Sequence, residues 1–170
     1  MLAKNGTVKI GDKIFIGEVD DDRIRVDAVV GGVAGVKINQ IPENVLLYIY
    51  AEKRDDAFLE YFGEIVMTSD GVVMIEYGEN PKYYRGYLPI ERYLKLLGRI
   101  AEGLGYKIIE MEEDTNYVGI RIEKEVDPNQ TIGEVIRQHV DPLMQHMQKI
   151  NGEIENLVEE YIEKKFGKKL

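Results

Sequence analysis

The side chains best suited to bind a partner are the tyrosines and cations between residues 80 and 100. Five cations fall there against one acid, Glu91, in a chain whose net charge is −9. Tyrosine and arginine are enriched at protein contact surfaces because each combines an apolar body with polar groups. The sequence therefore predicts a partner-binding patch composed of Tyr83, Tyr84, Arg85, Tyr87, Arg92, Lys95 and Arg99.

Three other interpretations of this patch stay open. Tyr84 and Arg85 could lie in a cleft where the guanidinium clamps an anionic substrate, as in a small-ligand binder or an enzyme. The cations could instead bind nucleic-acid phosphates, and such binding would weaken as salt rises. Finally, the tyrosines could cover the core while the cations pair with the chain's own acids.

The two histidines, His139 and His146, do not form a metal pair within one helix. They are seven residues apart, which on a straight helix is about 10 Å, whereas a single-helix metal pair uses a spacing of four. Ser69, the only serine, falls in a predicted turn with no histidine nearby in sequence, so a hydrolase triad is not expected. We therefore predict no catalytic residue, no metal site and no cofactor.

Other motifs have simpler interpretations than chemistry. The glycines of segment 31–35 follow a predicted strand, but no helix follows that could supply an anion site, so they indicate a turn or bulge. The acidic turn 20–22 lacks the central Gly and terminal Glu of a calcium loop. The carboxylates of segment 110–114 fall at a predicted hairpin turn, where side chains are usually hydrated.

Composition indicates one main folded domain, and the lack of cysteine is compatible with a reducing compartment. The chain has 170 residues, 44% of them hydrophobic and 31% charged, and it contains no cysteine. No apolar run is long enough to span a membrane and residues 1–6 show no apolar signal-peptide core, so we expect neither membrane insertion nor export. We expect a cytoplasmic location, and the acidic net charge makes nucleic acid a less favoured partner. The excess of Glu and Lys over Gln and His is typical of proteins from hot environments.

The periodicity predicts an α+β fold with an antiparallel sheet. Residues 1–40 contain short β-prone runs separated by turns and form an N-terminal β meander. Residues 41–128 form a core domain of order βββ-α-ββ, in which 58–68 is a strand and Ser69 to Gly71 a turn. Pro89 suits the first turn of the helix, whose apolar face comprises Ile90, Tyr93, Leu94, Leu97, Ile100, Ala101 and Leu104.

Residues 129–170 are predicted to form a long helical arm. Thr131 and Glu134 have the spacing of a capping box, so a helix begins there, and Pro142 either kinks it or starts a second helix. Apolar residues at heptad a and d spacing then recur for nearly four heptads: Ile136, Val140, Leu143, Met147, Ile150, Ile154, Leu157 and Tyr161.

An apolar stripe of this width needs a covering surface, because apolar area left in water forgoes about 25 cal/mol per Å². The cover could be the same helix of a second subunit, a helix of another protein, or the chain's own sheet. Self-association is favoured, most simply as a dimer. Additional apolar residues at Met144, Val158 and Ile162 broaden the stripe toward a bundle or a sheet contact.

Together these features favour a non-enzymatic homo-oligomeric adaptor or scaffold, in which the arm assembles subunits and the tyrosine patch engages an acidic protein segment or other anionic partner. The alternatives are a small-ligand binder or enzyme with a Tyr/Arg cleft, and a nucleic-acid binder with a basic helix face.

Overall fold

The computed structural model of the chain describes residues 7–20, 23–50, 64–85, 87–150 and 155–167. The strands are β1 (Thr7–Ile10), β2 (Lys13–Asp20), β3 (Arg23–Val29), β4 (Val45–Tyr50), β5 (Glu64–Met67), β6 (Val72–Glu79), β7 (Tyr84–Arg85), β8 (Leu88–Pro89), β9 (Lys107–Glu113) and β10 (Val118–Glu125). The α-helices are α1 (Val30–Val33), α2 (Ile90–Gly103), α3 (Ile132–Val135), α4 (Asp141–Ile150) and α5 (Glu155–Phe166); a 3-10 turn (Ile38–Gln40) and a π-helix (Ile136–Val140) complete the set.

Eight strands form one sheet in the order β1-β2-β3-β4-β5-β6-β10-β9, so the mixed α+β class and the antiparallel sheet are confirmed. The predicted topology differs in two respects. First, β3 and β4 pair in parallel, because the segment with α1 and the 3-10 turn brings the chain back to the end of the sheet at which β3 begins. Second, β7 and β8 form a separate two-stranded sheet. Of the strand predicted at 58–68, residues 64–67 form β5, and residues 58–63 lie outside the described residues.

The turn between β5 and β6 depends on a glycine. Gly71 has φ +87°, a conformation that L side chains rarely adopt. Its amide donates to Thr68 O over 3.1 Å, and its carbonyl accepts from the Val126 amide over 2.7 Å. A methyl group at this position would overlap the Val126 carbonyl. The predicted turn at residues 69–71 is therefore confirmed. Its hydrogen bond from Val126 also anchors the chain at the end of β10.

Helix α2 packs across β9 and β10 as its apolar face predicts. Pro89 precedes the helix in extended conformation, and Ile90, Leu94, Leu97 and Ile100 are buried. Gly98 faces the sheet, where a Cβ would lie 2.9 Å from Ile108 Cδ1 and 3.2 Å from Ile120 Cδ1. The absence of a side chain at this glycine lets the helix lie close to the strands.

The C-terminal segment begins as predicted. Thr131 Oγ1 accepts from the Glu134 amide over 3.2 Å, and Glu134 Oε1 accepts from the Thr131 amide over 2.9 Å, which completes the capping box. A π-helix then precedes α4, and the Asp141 amide donates to Ile136 O. The π-helix ends just before Pro142, whose missing N–H cannot serve the usual helical pattern.

One uninterrupted heptad arm is not confirmed. The described residues contain separate helices, and α4 and α5 both pack against α2. No helix among the described residues has the length and apolarity needed to cross a membrane.

Candidate partner-binding site

Three exposed tyrosines lie in or next to the β7–β8 hairpin. Tyr83, Tyr84 and Tyr87 are 57%, 64% and 72% exposed, respectively, while Leu88 on β8 and Ile90 at the start of α2 are buried. A solvent-exposed aromatic forgoes the stabilisation that burial would give it, so these three tyrosines are candidates for contact with a partner. We call residues 82–85 and 87–89 the tyrosine hairpin.

Local hydrogen bonds hold the hairpin in place. Asn80 accepts from the Tyr83 amide through its carbonyl and from the Lys82 amide through its side chain, each over 3.0 Å. The Ile90 amide donates to Tyr83 O over 2.9 Å, which ties the hairpin to the start of α2. These bonds, together with the burial of Leu88, hold the tyrosines on an ordered backbone, so less entropy is lost when a partner binds.

The cations predicted to join this patch contact the protein's own acids. Arg92 and Arg99 both bind the carboxylate of Glu159 on α5, and the Arg99 Nη1 to Glu159 Oε2 distance is 2.5 Å. Lys95 Nζ lies 3.1 Å from Glu113 Oε1 on β9. This is one of the alternatives that the sequence left open. The side chain of Arg85 lies outside the described residues, and Lys82 is exposed beside the tyrosines.

The first half of the heptad stripe lies inside the chain's own core. Ile136, Val140, Leu143 and Met147 are buried in the cluster that includes the face of α2. In the second half the buried positions are Val158 and Ile162, whereas Leu157 is 44% exposed and Tyr161 is partly exposed. Ile154 and the side chain of Ile150 lie outside the described residues.

The two histidines, His139 and His146, have different surroundings. His146 Nδ1 lies 2.5 Å from the Tyr161 hydroxyl, and its ring meets Phe166 edge-on at 5.3 Å between centroids. Burial, assisted by Lys149 and Lys165, lowers the pKa of His146. Burial and then Lys124 lower the pKa of His139, whose backbone carbonyl accepts from Tyr106. His146 therefore lies in the contact between α4 and α5, whereas His139 lies beside Tyr106, in the loop before β9.

A cavity on the sheet face was not predicted. It has a volume of about 190 Å³, and its lining includes Glu76, Glu110, Glu112, Tyr117 and Arg121. The Tyr117 ring lies over two glycines on neighbouring strands, Gly78 and Gly119, because a methyl group at either would overlap it. Burial, followed by the nearby carboxylates, raises the pKa of Tyr117.

The sequence contained a partial signal for this cavity. Glu110 and Glu112 alternate along a predicted strand, so they must share one face. Their neighbours across the sheet, Arg121 and Gly119, follow only from the register of β9 and β10. Glu76, which lies opposite Arg121 on β6, requires the register of a further strand pair.

A second cavity of about 460 Å³ is lined by Val72, Gly105, Lys107, Glu123, Lys124 and Glu125. Lys124 Nζ donates to Leu104 O over 2.8 Å and lies 5.4 Å from the centre of the Tyr106 ring. The lysines and glutamates balance in charge, and neither cavity is lined by the tyrosine hairpin. Among the described residues, no group of three or more His, Asp or Glu side chains is arranged to hold a metal ion.

Comparison with known proteins gives no relative: no family model matches the sequence, no curated protein matches it, and no solved structure matches the fold.

Proposed function

We propose that this protein is a non-enzymatic adaptor that binds a partner protein through the tyrosine hairpin. The observation that supports this most directly is the exposure of Tyr83, Tyr84 and Tyr87 on a backbone anchored by buried Leu88. Tyrosines on an ordered backbone dominate many protein interfaces, since they provide large contact area at low entropic cost.

The partner segment should offer an apolar surface for the rings and a carboxylate near Lys82. The lysine is exposed at the edge of the hairpin and gives the rim a positive charge. Rim charges of this kind steer association and set specificity more than they add affinity. An acidic partner segment therefore suits this surface.

The alternatives have less support. A nucleic-acid face needs cations available to phosphates, whereas Arg92, Lys95 and Arg99 contact Glu159 and Glu113. Neither cavity described above is lined by Tyr84 or Arg85, so neither supports a substrate cleft at these two residues. Self-association stays a prediction. The first half of the heptad stripe is buried in the chain's own core. The adaptor proposal rests on the tyrosine hairpin and does not depend on self-association.

Site-specific photo-crosslinking tests the proposal. A photoreactive phenylalanine analogue at position 84 should crosslink a protein in cells of the source organism, whereas the same analogue at Ile14, which is 66% exposed, should not. The crosslinked partner is then purified and its affinity for the intact protein measured by calorimetry.

The decisive comparison uses the double variant Tyr84→Ala/Tyr87→Ala against Ile14→Ala. Truncating a hot-spot residue costs about 2 kcal/mol or more, so the double variant should bind at least roughly thirtyfold more weakly. Ile14→Ala should bind like the wild type. Equal affinity of the double variant and the wild type would show that the hairpin is not the contact surface.

A further inference from the structure

Strand β9 forms an edge of the eight-stranded sheet. Its strand neighbour among the described residues is β10, so one side of β9 has no strand partner there. Ile109 and Met111 are each 37% exposed. An edge strand with exposed backbone and apolar side chains is a template for an added strand.

The side chains of β9 separate into two faces. Met111 lies opposite Ile120, whose side chain faces α2. Glu110 and Glu112 lie opposite Arg121 and Gly119 on the other face, where both line the 190 Å³ cavity. The register shift between Arg121 and Ile122 marks a β-bulge near Ile109, so regular pairing is available from Glu110 onward.

The 190 Å³ cavity extends from Glu110 and Glu112 on β9 toward β10 and β6. Three carboxylates line it, from Glu76, Glu110 and Glu112, against the single cation Arg121. Arg121 Nη1 is 3.9 Å from Glu76 Oε1, which is a loose contact, and the Tyr117 ring forms an aromatic wall. A negative lining beside an aromatic ring suits a Lys or Arg side chain.

We propose that β9 takes up a basic, extended segment of a partner protein as an added strand. The segment carries Lys or Arg at alternate positions, which face Glu110 and Glu112 on β9. The residue between them is apolar and packs on Met111. Cross-strand pairs of opposite charge stabilise an added strand, and like charges directly opposite one another destabilise it.

The same charges disfavour a second copy of this chain. Two β9 strands side by side would bring together two rows of glutamates from Glu110, Glu112 and Glu113, all of which are exposed. A basic segment would instead place cations opposite these glutamates, which stabilises the added strand. This surface is separate from the tyrosine hairpin and requires the opposite charge on its partner, so the inference goes beyond the adaptor proposal.

Synthetic peptides test this inference on the full-length protein. A fluorescent peptide of alternating Lys and Val should bind, as measured by anisotropy, and should bind more weakly as salt rises. Hydrogen exchange should slow at the β9 amides when it binds. A peptide of alternating Glu and Val should not bind.

Matched variants separate the site from overall charge. Glu110→Lys/Glu112→Lys should weaken peptide binding by about tenfold or more. Glu102→Lys/Glu160→Lys makes the same change of net charge at exposed helix positions and should have little effect on binding at high salt. Glu110→Gln/Glu112→Gln, a milder change, should fall between the first variant and the wild type. Thermal unfolding checks that each variant is folded.

Three results would overturn the inference. The first is equal loss of binding in both lysine variants, and the second is binding without slower exchange in β9. The third is full competition by spermidine, which would mean that the cavity binds a small cation and not a strand. Tyr84→Ala/Tyr87→Ala should leave peptide binding unchanged, so failure here is distinct from failure of the adaptor proposal.

Discussion

Glu159 on α5 binds Arg99 on α2, with 2.5 Å between Oε2 and Nη1, and its other carboxylate oxygen accepts from Arg92. Arg99 and Glu159 are 60 positions apart in the sequence. The Arg99 side chain is 8% exposed, and a guanidinium withdrawn from water needs a compensating carboxylate. These ion pairs therefore hold α5 against α2.

The first prediction concerns this ion pair. Glu159→Gln keeps the side-chain size but removes the charge that faces the two guanidinium groups. We expect the free energy of unfolding to fall by about 2 kcal/mol, less than for a fully buried pair because Glu159 is partly exposed. Urea unfolding measures the change. Glu160→Gln, at the exposed neighbouring position, should stay within about 0.5 kcal/mol of the wild type; similar losses in the two variants would contradict the assignment.

The second prediction separates an internal core from a helical interface between subunits. Leu143→Ala should cost about 2–5 kcal/mol because it empties a buried position. Leu157→Ala, at an exposed position on α5, should change stability by less than about 0.5 kcal/mol. Urea unfolding and light scattering measure stability and mass. If both variants lost stability and the mass fell in both, the stripe would be an interface between subunits.

The third prediction concerns pH. The pKa of His146 is lowered by burial and then by Lys149 and Lys165, so the folded protein holds this imidazole neutral more strongly than the unfolded chain does. As pH falls through about 6.5, the unfolded chain gains a proton that the folded protein resists, and stability decreases. Above that range the contribution is complete.

Histidine NMR titration should place the His146 midpoint below 6.5, the ordinary pKa. His146→Gln should lose less stability than the wild type between neutral and mildly acidic pH. It should keep the part due to His139, whose pKa is lowered in the same direction. A variant with the same pH dependence as the wild type would exclude His146 as a contributor.

The fourth prediction concerns the Tyr117 ring. Gly78→Ala would place a methyl group where the ring lies, and Tyr117 is exposed enough to move away. Once displaced from the carboxylates and from its partly buried position, the phenol should titrate nearer its ordinary pKa of 10.0. An ultraviolet titration of tyrosinate measures this. Gly35→Ala, which has open space around it, should leave the titration unchanged; an unchanged titration in Gly78→Ala would mean that the ring does not lie on the glycine.

Local patterns predicted the elements that depend on nearby residues. The apolar face of α2, the capping box at Thr131 and the turn at Gly71 are set within a few positions of sequence, and all three are confirmed. Side-chain periodicity identifies which face of an element is apolar, but it does not identify what covers that face.

Contacts between distant residues could not be predicted in this way. The parallel β3–β4 pair follows from the path of the intervening chain, because the strands themselves do not encode direction. The pairing of Arg92 and Arg99 with Glu159 follows from how α5 docks. In α5 the buried positions are Val158 and Ile162, each one residue after the predicted Leu157 and Tyr161.

The order of the sheet has a consequence for how the chain folds. From β1 to β6 each strand pairs with the next along the chain, whereas β6 pairs with β10 across the segment that contains α2. Local pairings close short loops at low entropic cost, and this one closes a long loop. On the ribosome, β6 would emerge well before β10 and would keep an open edge beside Ile75 until then. Helix α2 is made in that interval, so its apolar face is exposed until β9 and β10, the strands it packs against, have been made.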